Sequence, residues 1–291
     1  MALVNLTELM KDSEKNNYAI GSYNVINQDM VRGVIKAAEE EKSPVIMSLA
    51  EIHCSMAPLE VIGPVMIDAA KQANVPVVVH LDHGEDFELL VRAMKLGFTS
   101  IMFDGSSLSF EENIRQTAEM KKISKSLNVS LEAELGQLLR PEGGGDEEEL
   151  DESELDERDF YTDPSQAKEF VEKTELDLLA VAYGTAHGIY LKKPKLDFER
   201  LEQIKKITGM PLVMHGGSGL KKEDYLKSID CGINKINYYS NMSYNVANII
   251  GRKMNDNDKK VYYHDISQWA IEAVKEDVAN TMRIFRSSGR A

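Results

Sequence analysis

Eight short runs rich in Val, Ile, Leu and Tyr alternate along the chain with longer stretches whose apolar residues recur at helical spacing. The runs span 19–25, 44–49, 76–82, 100–104, 129–135, 178–184, 211–215 and 233–239, and the helical stretches lie near 28–42, 59–73, 86–96, 111–126, 164–174, 198–207, 221–229 and beyond 240. Such alternation is typical of a parallel sheet whose strands are joined by crossover helices. Eight strands predict an α/β fold, the TIM (β/α)8 barrel with extra C-terminal helices. The main alternative, an open doubly wound sheet, is disfavoured because no glycine-rich fingerprint follows the first run.

The length and composition are those of one globular domain. The chain has 291 residues, of which 43% are hydrophobic, and barrels of this class use about 250 residues as a single unit. Neither an internal repeat nor a linker divides the chain, so we expect one domain over 1–291, in which the segment near 137–160 is a mobile acidic loop. A plain solvated loop is the alternative for that segment, but the glycine triplet 143–145 would let its beginning hinge over a site.

The net charge of −14 argues against a nucleic acid or anionic membrane partner, because both require basic patches. The amino terminus reaches charged residues before a long apolar run forms, which predicts neither a signal peptide nor a membrane span. The two cysteines, Cys54 and Cys231, are far apart and suit a reducing compartment. The expected location is therefore the cytoplasm.

Three of the six histidines lie at the downstream ends of predicted strands, and each is followed by glycine. They are His83, His187 and His215, in the segments HLDHG, GTAHG and HGGSG. Because all strands of a barrel end on one rim, these side chains can converge there on one metal ion. A single histidine in such a place is more often a core residue, but three in equivalent places favour a metal site. His80 is interpreted as a core group or as a support for the ligands.

Carboxylates lie beside these histidines. Asp82 precedes His83, and a carboxylate next to a bound cation can move a proton on a substrate hydroxyl. The alternative for Asp82 is a cap or turn residue. Asp104, Glu132 and Glu134 also lie at or near strand ends, where they are candidate oxygen ligands for a second metal position or salt-bridge partners for lysines at the barrel rim.

Glycine-rich and hydroxyl-bearing segments follow the last three strands. They are GTAHG (184–188), HGGSG (215–219) and NYYSN (237–241), the last of which opens the next predicted helix. Backbone N–H groups in these places commonly hold phosphate in such barrels. Any one of these segments is weak evidence, because glycines also serve ordinary turns.

The segments HLDHG, EAELG, GTAHG, HGGSG and KIN, in this order and at these separations, resemble the class II, metal-dependent ketose-bisphosphate aldolases. GTAHGIYLKKPKLDF is especially similar to tagatose-bisphosphate aldolases. The resemblance implies a TIM barrel that assembles as a homodimer or homotetramer and acts on a small phosphorylated sugar. It implies a Zn²⁺ ion, and it also admits a monovalent cation, Na⁺ or K⁺.

The resemblance assigns roles to individual residues. Zinc would be bound by His83, His187 and His215, with Glu134 and Asp104 at alternative or second metal positions. Asp82 and the loop residue Glu142 would move protons, and Asn24 would face the aldehyde. The product dihydroxyacetone phosphate would be held or oriented by Gly188, Gly216, Ser218, Asn237 and Ser240.

The chain departs from this pattern around the aldehyde. Ala50, Tyr239 and Gln268 stand where family members often carry Ser, Asp or Ala, and Arg respectively, which predicts weaker recognition of a distal phosphate. Two other functions stay open: a metal-dependent sugar-phosphate epimerase or isomerase on the same barrel, and a non-catalytic ligand-binding paralogue. The first lacks a second proton-transfer group, and the retained Asp82 with the three histidines disfavours the second.

Overall fold

The computed structural model describes residues 2–137, 160–188, 194–256 and 260–291. Eight parallel strands form a closed barrel in chain order, which confirms the predicted TIM barrel. The strands are β1 (Ile20–Asn24), β2 (Val45–Ala50), β3 (Val77–Gly84), β4 (Ser100–Phe103), β5 (Ser130–Leu135), β6 (Leu178–Val181), β7 (Leu212–Met214) and β8 (Ile233–Tyr238). β6 was predicted to run to residue 184 but ends at Val181, because the chain there leaves the sheet for the loop that carries His187.

The helices agree closely with the periodic stretches. They are α1 (Leu6–Asn16), α2 (Gln28–Glu41), α3 (Leu59–Gln72), α4 (Phe87–Leu96), α5 (Phe110–Ser126), α6 (Pro164–Thr174), α7 (Phe198–Thr208), α8 (Lys222–Asp230), α9 (Ser240–Asn255) and α10 (Tyr263–Ile284). The sequence interpretation missed α1 and a short 3-10 helix, Glu51–Ser55. Two helices, α9 and α10, follow β8, so the C-terminal region adds one helix to the eight of the barrel repeat. Among the helices of the described ranges, none combines the length and apolarity needed to cross a membrane.

Close approach of α10 to α2 closes the barrel wall on one side. Gly33 of α2 makes this possible, because a Cβ atom there would lie 2.6 Å from Val274 Cγ1. Val34, Val274 and Val278 are fully buried in this contact region. The C-terminal helix is thus part of the barrel's own core.

The lower half of the barrel, at the amino ends of the strands, is apolar. Ile20, Ile46, Val78 and Val213 form one buried cluster. The cluster also includes the buried face of α1, which closes the bottom of the barrel with Leu6, Leu9 and Met10. This is the branched apolar filling expected of such a barrel.

The upper half of the interior is polar. Strand register pairs Ser22 with Asn237, Ser48 with His80 and Ala50 with Asp82. Inward-facing polar or charged side chains that are at most 7% exposed include Ser22, Asn24, Ser48, His80, Asp82, Glu132, Glu134, His215, Lys235 and Asn237. Burying so many polar groups costs free energy unless they are paired, so this arrangement indicates a functional site.

Candidate active site

A bulge in β3 brings two neighbouring residues to the same site. Alternation along a strand would send Asp82 inward and His83 outward. Between β3 and β4, however, the two residues between Leu81 and Gly84 lie opposite the single residue between Ile101 and Phe103. His83 takes up the extra residue with φ of 47°, in the left-handed region. Both side chains can therefore reach one site. Left-handed backbone at a residue other than glycine is concentrated at active sites, so the conformation of His83 also indicates a functional role.

The three predicted histidines meet at the carboxyl ends of β3, β6 and β7. One ring nitrogen of each lies within 4.8 Å of one ring nitrogen of the others. The ring centroids of His83 and His215 are 4.4 Å apart, and those of His83 and His187 are 5.0 Å apart. The sequence thus correctly placed these side chains together.

The hydrogen bonds of two of these rings orient them. His83 Nδ1 lies 2.7 Å from Asp104 Oδ2, and His215 Nε2 lies 2.8 Å from Glu132 Oε1. If each of these nitrogens donates its proton to the carboxylate, the opposite nitrogens carry lone pairs. Those two, His83 Nε2 and His215 Nδ1, face each other at 2.7 Å. A proton shared between the two nitrogens accounts for this distance, and its loss leaves both able to bind a cation. Carboxylate-supported imidazoles are the usual ligands of zinc.

Glu134 provides a further donor beside the histidines. Its Oε2 is buried, has no hydrogen-bond partner among the described residues, and lies 3.8 Å from His215 Nδ1. Burial raises the pKa of Glu134 well above its ordinary value, and repulsion from Asp104 adds to this. A buried carboxylate oxygen with no protein partner fits a cation ligand. Ligand atoms of Glu134, Asp104 and His83 form a second set within 4.8 Å of one another.

Asp104 itself is held mainly by His83. Burial raises the pKa of the Asp104 carboxyl, but the hydrogen bond and charge interaction with His83, together with hydrogen bonds from Ser106, more than offset it, so the pKa falls below its ordinary value. The backbone N–H of Ser106 also donates to Asp104, at 3.1 Å. The carboxylate thereby fixes the orientation of the His83 ring.

Asp82 is fully buried and held by two amides. Asn237 Nδ2 donates to both of its oxygens, at 3.0 and 3.1 Å, and Asn24 Nδ2 donates to one, at 3.2 Å. Burial raises the pKa of Asp82, but electrostatic interactions with His83, His80 and Lys235 together lower it well below its ordinary value. The carboxyl is therefore ionised, as a group that accepts a proton must be.

The loops after β6, β7 and β8 meet in a corner beside the histidines, and three predicted substrate-binding residues lie in it. A Cβ atom on Gly216, whose φ is 62°, would lie 2.5 Å from the carbonyl oxygen of Ala186. Ser218 Oγ accepts a hydrogen bond from the backbone N–H of Tyr239, at 3.0 Å, and Ser240 is the first residue of α9. Gly188, by contrast, faces open space, since nothing lies within 4 Å of where its Cβ would be.

The residues that depart from the family pattern, which were predicted to surround the aldehyde, are uncharged. Ala50 lies beside Asp82 in the strand register, and the Tyr239 ring contacts the buried His53 with centroids 4.6 Å apart. Tyr238 turns away into the core, where it contacts Tyr23. Gln268 is exposed on α10.

The sequence analysis did not recognise Lys235 as a site residue. It is 0% exposed, and its Nζ lies 2.7 Å from Glu132 Oε2 and 4.0 Å from Asp82 Oδ1. Glu132, which was a candidate metal ligand or salt-bridge partner, is therefore occupied by Lys235 and His215. The available signal was position: Lys235 is two residues before Asn237 in β8, so both face inward.

Several predicted features lie outside the described residues. These are Glu142, the glycine triplet 143–145 and the body of the predicted mobile acidic loop, 138–159. The two residues that flank this segment lie close together, because the Gln137 N–H donates to the Phe160 carbonyl at 2.9 Å. The described residues on the two sides of this segment therefore meet beyond the end of β5.

Comparisons with known proteins agree with this geometry. The family model described as "Fructose-bisphosphate aldolase class-II" matches residues 4–290. A probable fructose-bisphosphate aldolase of Bacillus subtilis is 38% identical, and a fructose-bisphosphate aldolase of Staphylococcus epidermidis is 37% identical, each with 100% of both chains covered.

Solved structures give the same relationship. The YdjI aldolase from Escherichia coli K12 superposes with a TM-score of 0.87 at 35% identity, covering 99% of both chains. A putative fructose-1,6-bisphosphate aldolase from Coccidioides immitis gives a TM-score of 0.84 at 30% identity, covering 98% of this chain and 97% of the other. The matches span the whole barrel, including every segment that carries the candidate site. The chain therefore belongs to the class II fructose-bisphosphate aldolase family, whose members are metal-dependent lyases.

Proposed function

We propose that this metal-dependent aldolase uses Zn²⁺ to cleave, reversibly, a ketose 1-phosphate or 1,6-bisphosphate of the fructose or tagatose type. The products are dihydroxyacetone phosphate and an aldehyde. The observation that carries the proposal is the convergence of His83, His187 and His215, whose ring nitrogens lie within 4.8 Å of one another beside the ionised Asp82. That combination of a cation site and a base is what cleavage next to a ketone requires.

His83, His187 and His215 would hold the zinc ion, and Glu134 with Asp104 would supply an alternative or second position. When bound, zinc supplies Lewis-acid chemistry, which stabilises the negative charge that develops as the carbon–carbon bond breaks. An exchangeable fourth ligand is characteristic of catalytic zinc sites. A Na⁺ or K⁺ ion is a further prediction of the family resemblance.

Asp82 accepts the proton from the C4 hydroxyl in the cleavage direction. Asn237 and Asn24 fix its carboxylate by hydrogen bonds of 3.0 to 3.2 Å, so its oxygens have little freedom to turn away from the substrate. Asn24 also lies on the side where the aldehyde leaves. Glu142 returns a proton to the three-carbon fragment; this role rests on the family resemblance.

The corner made by Gly216, Ser218 and Ser240, together with Gly188 of the neighbouring loop after β6, binds the phosphate of dihydroxyacetone phosphate. The corner opens at the amino end of α9, where backbone N–H groups and the helix dipole attract an anion. Asn237 orients the carbon skeleton. We further propose a single domain over 1–291, a homodimer or homotetramer, and a cytoplasmic location.

The experiment is direct measurement of dihydroxyacetone phosphate release from a panel of phosphorylated ketoses, before and after metal removal. We expect release from at least one ketose, loss of release on chelation and recovery with Zn²⁺. Conversion of one ketose into another without a three-carbon product would instead establish an epimerase. Binding of sugar phosphate without turnover of any panel member would establish a non-catalytic paralogue.

The role of Glu142 has a separate test. Glu142→Ala should slow the exchange of deuterium into dihydroxyacetone phosphate more than it weakens binding of that product. Normal exchange in this variant would assign the proton transfer to another group.

A further inference from the structure

We infer that Lys235 is a positioning residue for the metal site and acts through Glu132. The inference rests on the proposed zinc function. The buried Lys235–Glu132 ion pair holds the His215 ring in one tautomer and one orientation, with Nδ1 directed toward His83.

The three groups form a continuous chain of contacts. Lys235 Nζ lies 2.7 Å from Glu132 Oε2, and the other oxygen of Glu132 lies 2.8 Å from His215 Nε2. All three side chains are at most 1% exposed, so water cannot substitute for any of them. Glu132 thus has one oxygen for the lysine and one for the histidine.

Because the Lys235–Glu132 pair is buried, loss of the lysine would change how Glu132 holds the His215 ring. A buried carboxylate that loses its cationic partner is left with an uncompensated charge and moves toward other donors. For Glu132, such a move would weaken its hold on His215 Nε2. The ring could then rotate or change tautomer, and Nδ1 would no longer be reliably directed toward the His83 nitrogen.

Lys235 also faces the rest of the buried polar layer. Its Nζ is 4.0 Å from Asp82 Oδ1, and His80 Nε2 lies 3.6 Å from that oxygen and 3.8 Å from Glu132 Oε2. His80 is fixed from its other side by Ser100, whose Oγ is 2.8 Å from Nδ1. One ammonium group therefore lies against two carboxylates, each of which adjoins a part of the proposed metal site.

The two ways in which Lys235 could act, by positioning His215 or simply by its charge, predict opposite changes in zinc affinity when the lysine is removed. If Lys235 acted on zinc only as a nearby positive charge, its removal would tighten zinc binding by removing repulsion. If it positions His215 through Glu132, removal weakens zinc binding. Changes in groups that support metal ligands typically alter affinity by about 10–100-fold.

The test compares zinc affinity, by chelator competition at fixed pH, in the wild type, Lys235→Met, Glu132→Gln and the double variant. We expect Lys235→Met to bind zinc at least about tenfold more weakly. The double variant should recover part of this loss, because a neutral glutamine still accepts from His215 and needs no cation. Unchanged or tighter binding in Lys235→Met, or strictly additive losses, would overturn the inference.

Lys121→Met is the matched control. It breaks a partly buried pair, Lys121 Nζ to Asp177 Oδ2 at 2.6 Å, at the amino end of the barrel. It should leave zinc affinity and the visible spectrum of the Co²⁺-substituted protein unchanged, whereas Lys235→Met should shift that spectrum. Equal spectral changes in both variants would reduce Lys235 to a general structural role.

One measurement needs no variant, and so remains decisive if the substitutions prevent folding. In the imidazole ¹⁵N spectrum of the zinc-loaded wild type, His215 should carry its proton on Nε2. A proton on Nδ1 would contradict the inference. If the wild type binds no zinc at all, the proposed function itself fails, which distinguishes the two failures.

Discussion

Removal of the Asp104 carboxylate should weaken zinc binding through His83. Asp104 Oδ2 lies 2.7 Å from His83 Nδ1, and both side chains are only about one-tenth exposed, at 12% and 11%. A hydrogen bond to a charged group contributes about 1.5–3 kcal/mol. Because every 1.4 kcal/mol is about tenfold in a binding constant, Asp104→Ala should weaken zinc binding roughly tenfold to a hundredfold.

Asp104→Asn should have a smaller effect. The amide oxygen can still accept from His83 Nδ1, so that only the charge is lost, which we estimate at about 1 kcal/mol or roughly fivefold. Asp86→Asn is the control, because Asp86 is exposed near the same rim and caps α4, a role that asparagine performs equally well. It removes the same charge without touching a histidine.

The assay is zinc competition with a chromogenic chelator, with circular dichroism to establish that each variant is folded. The expected order of affinity is wild type and Asp86→Asn, then Asp104→Asn, then Asp104→Ala. Wild-type affinity in folded Asp104→Ala would refute the argument that His83 is oriented by this carboxylate. Equal losses in Asp86→Asn and Asp104→Asn would show that only the summed charge matters.

Three further outcomes follow. Asp82→Ala should retain zinc and fold but lose cleavage by at least about 10²-fold, as measured by single-turnover release of dihydroxyacetone phosphate; near-normal release would exclude it as the base. Gly216→Ala should lower the melting temperature more than Gly188→Ala, because only the former meets backbone at 2.5 Å, whereas Gly188→Ala should chiefly raise KM. Gln268 at the position where family members carry arginine predicts kcat/KM for fructose 1,6-bisphosphate about tenfold or more below that for a ketose 1-phosphate, and a tenfold preference for the bisphosphate would contradict this.

Most of the fold could be predicted from the sequence, because the spacing of hydrophobic residues reflects which faces of the helices and strands are buried. All eight strands lie within the predicted runs or within two residues of them, since each strand is buried on both faces and bounded by turn residues. Helix α1 was missed because its apolar residues, such as Leu6 and Met10, precede the first strand, where the alternating pattern gives no expectation of a helix. Its role is to close the barrel's bottom, a tertiary requirement that a local pattern does not carry.

The candidate site could be predicted from the sequence only in part. Strand ends predicted that His83, His187 and His215 would meet, because parallel strands share a rim. They did not predict that a bulge would turn His83 to the same site as Asp82, since a one-residue shift in register has no local signature here. Lys235 was missed because a lysine in a strand is normally read as exposed, and its partner Glu132 is 103 residues away in sequence.

The central claim, that three histidines hold the metal on which cleavage depends, is tested most directly by measuring bound zinc and dihydroxyacetone phosphate release together in His83→Ala, His187→Ala and His215→Ala. His264→Ala is the control, because that side chain is 79% exposed on α10. Loss of one of three protein ligands should remove both zinc and turnover in each of the first three variants, while the control keeps both. Stoichiometric zinc with near-normal release in all three would contradict the account.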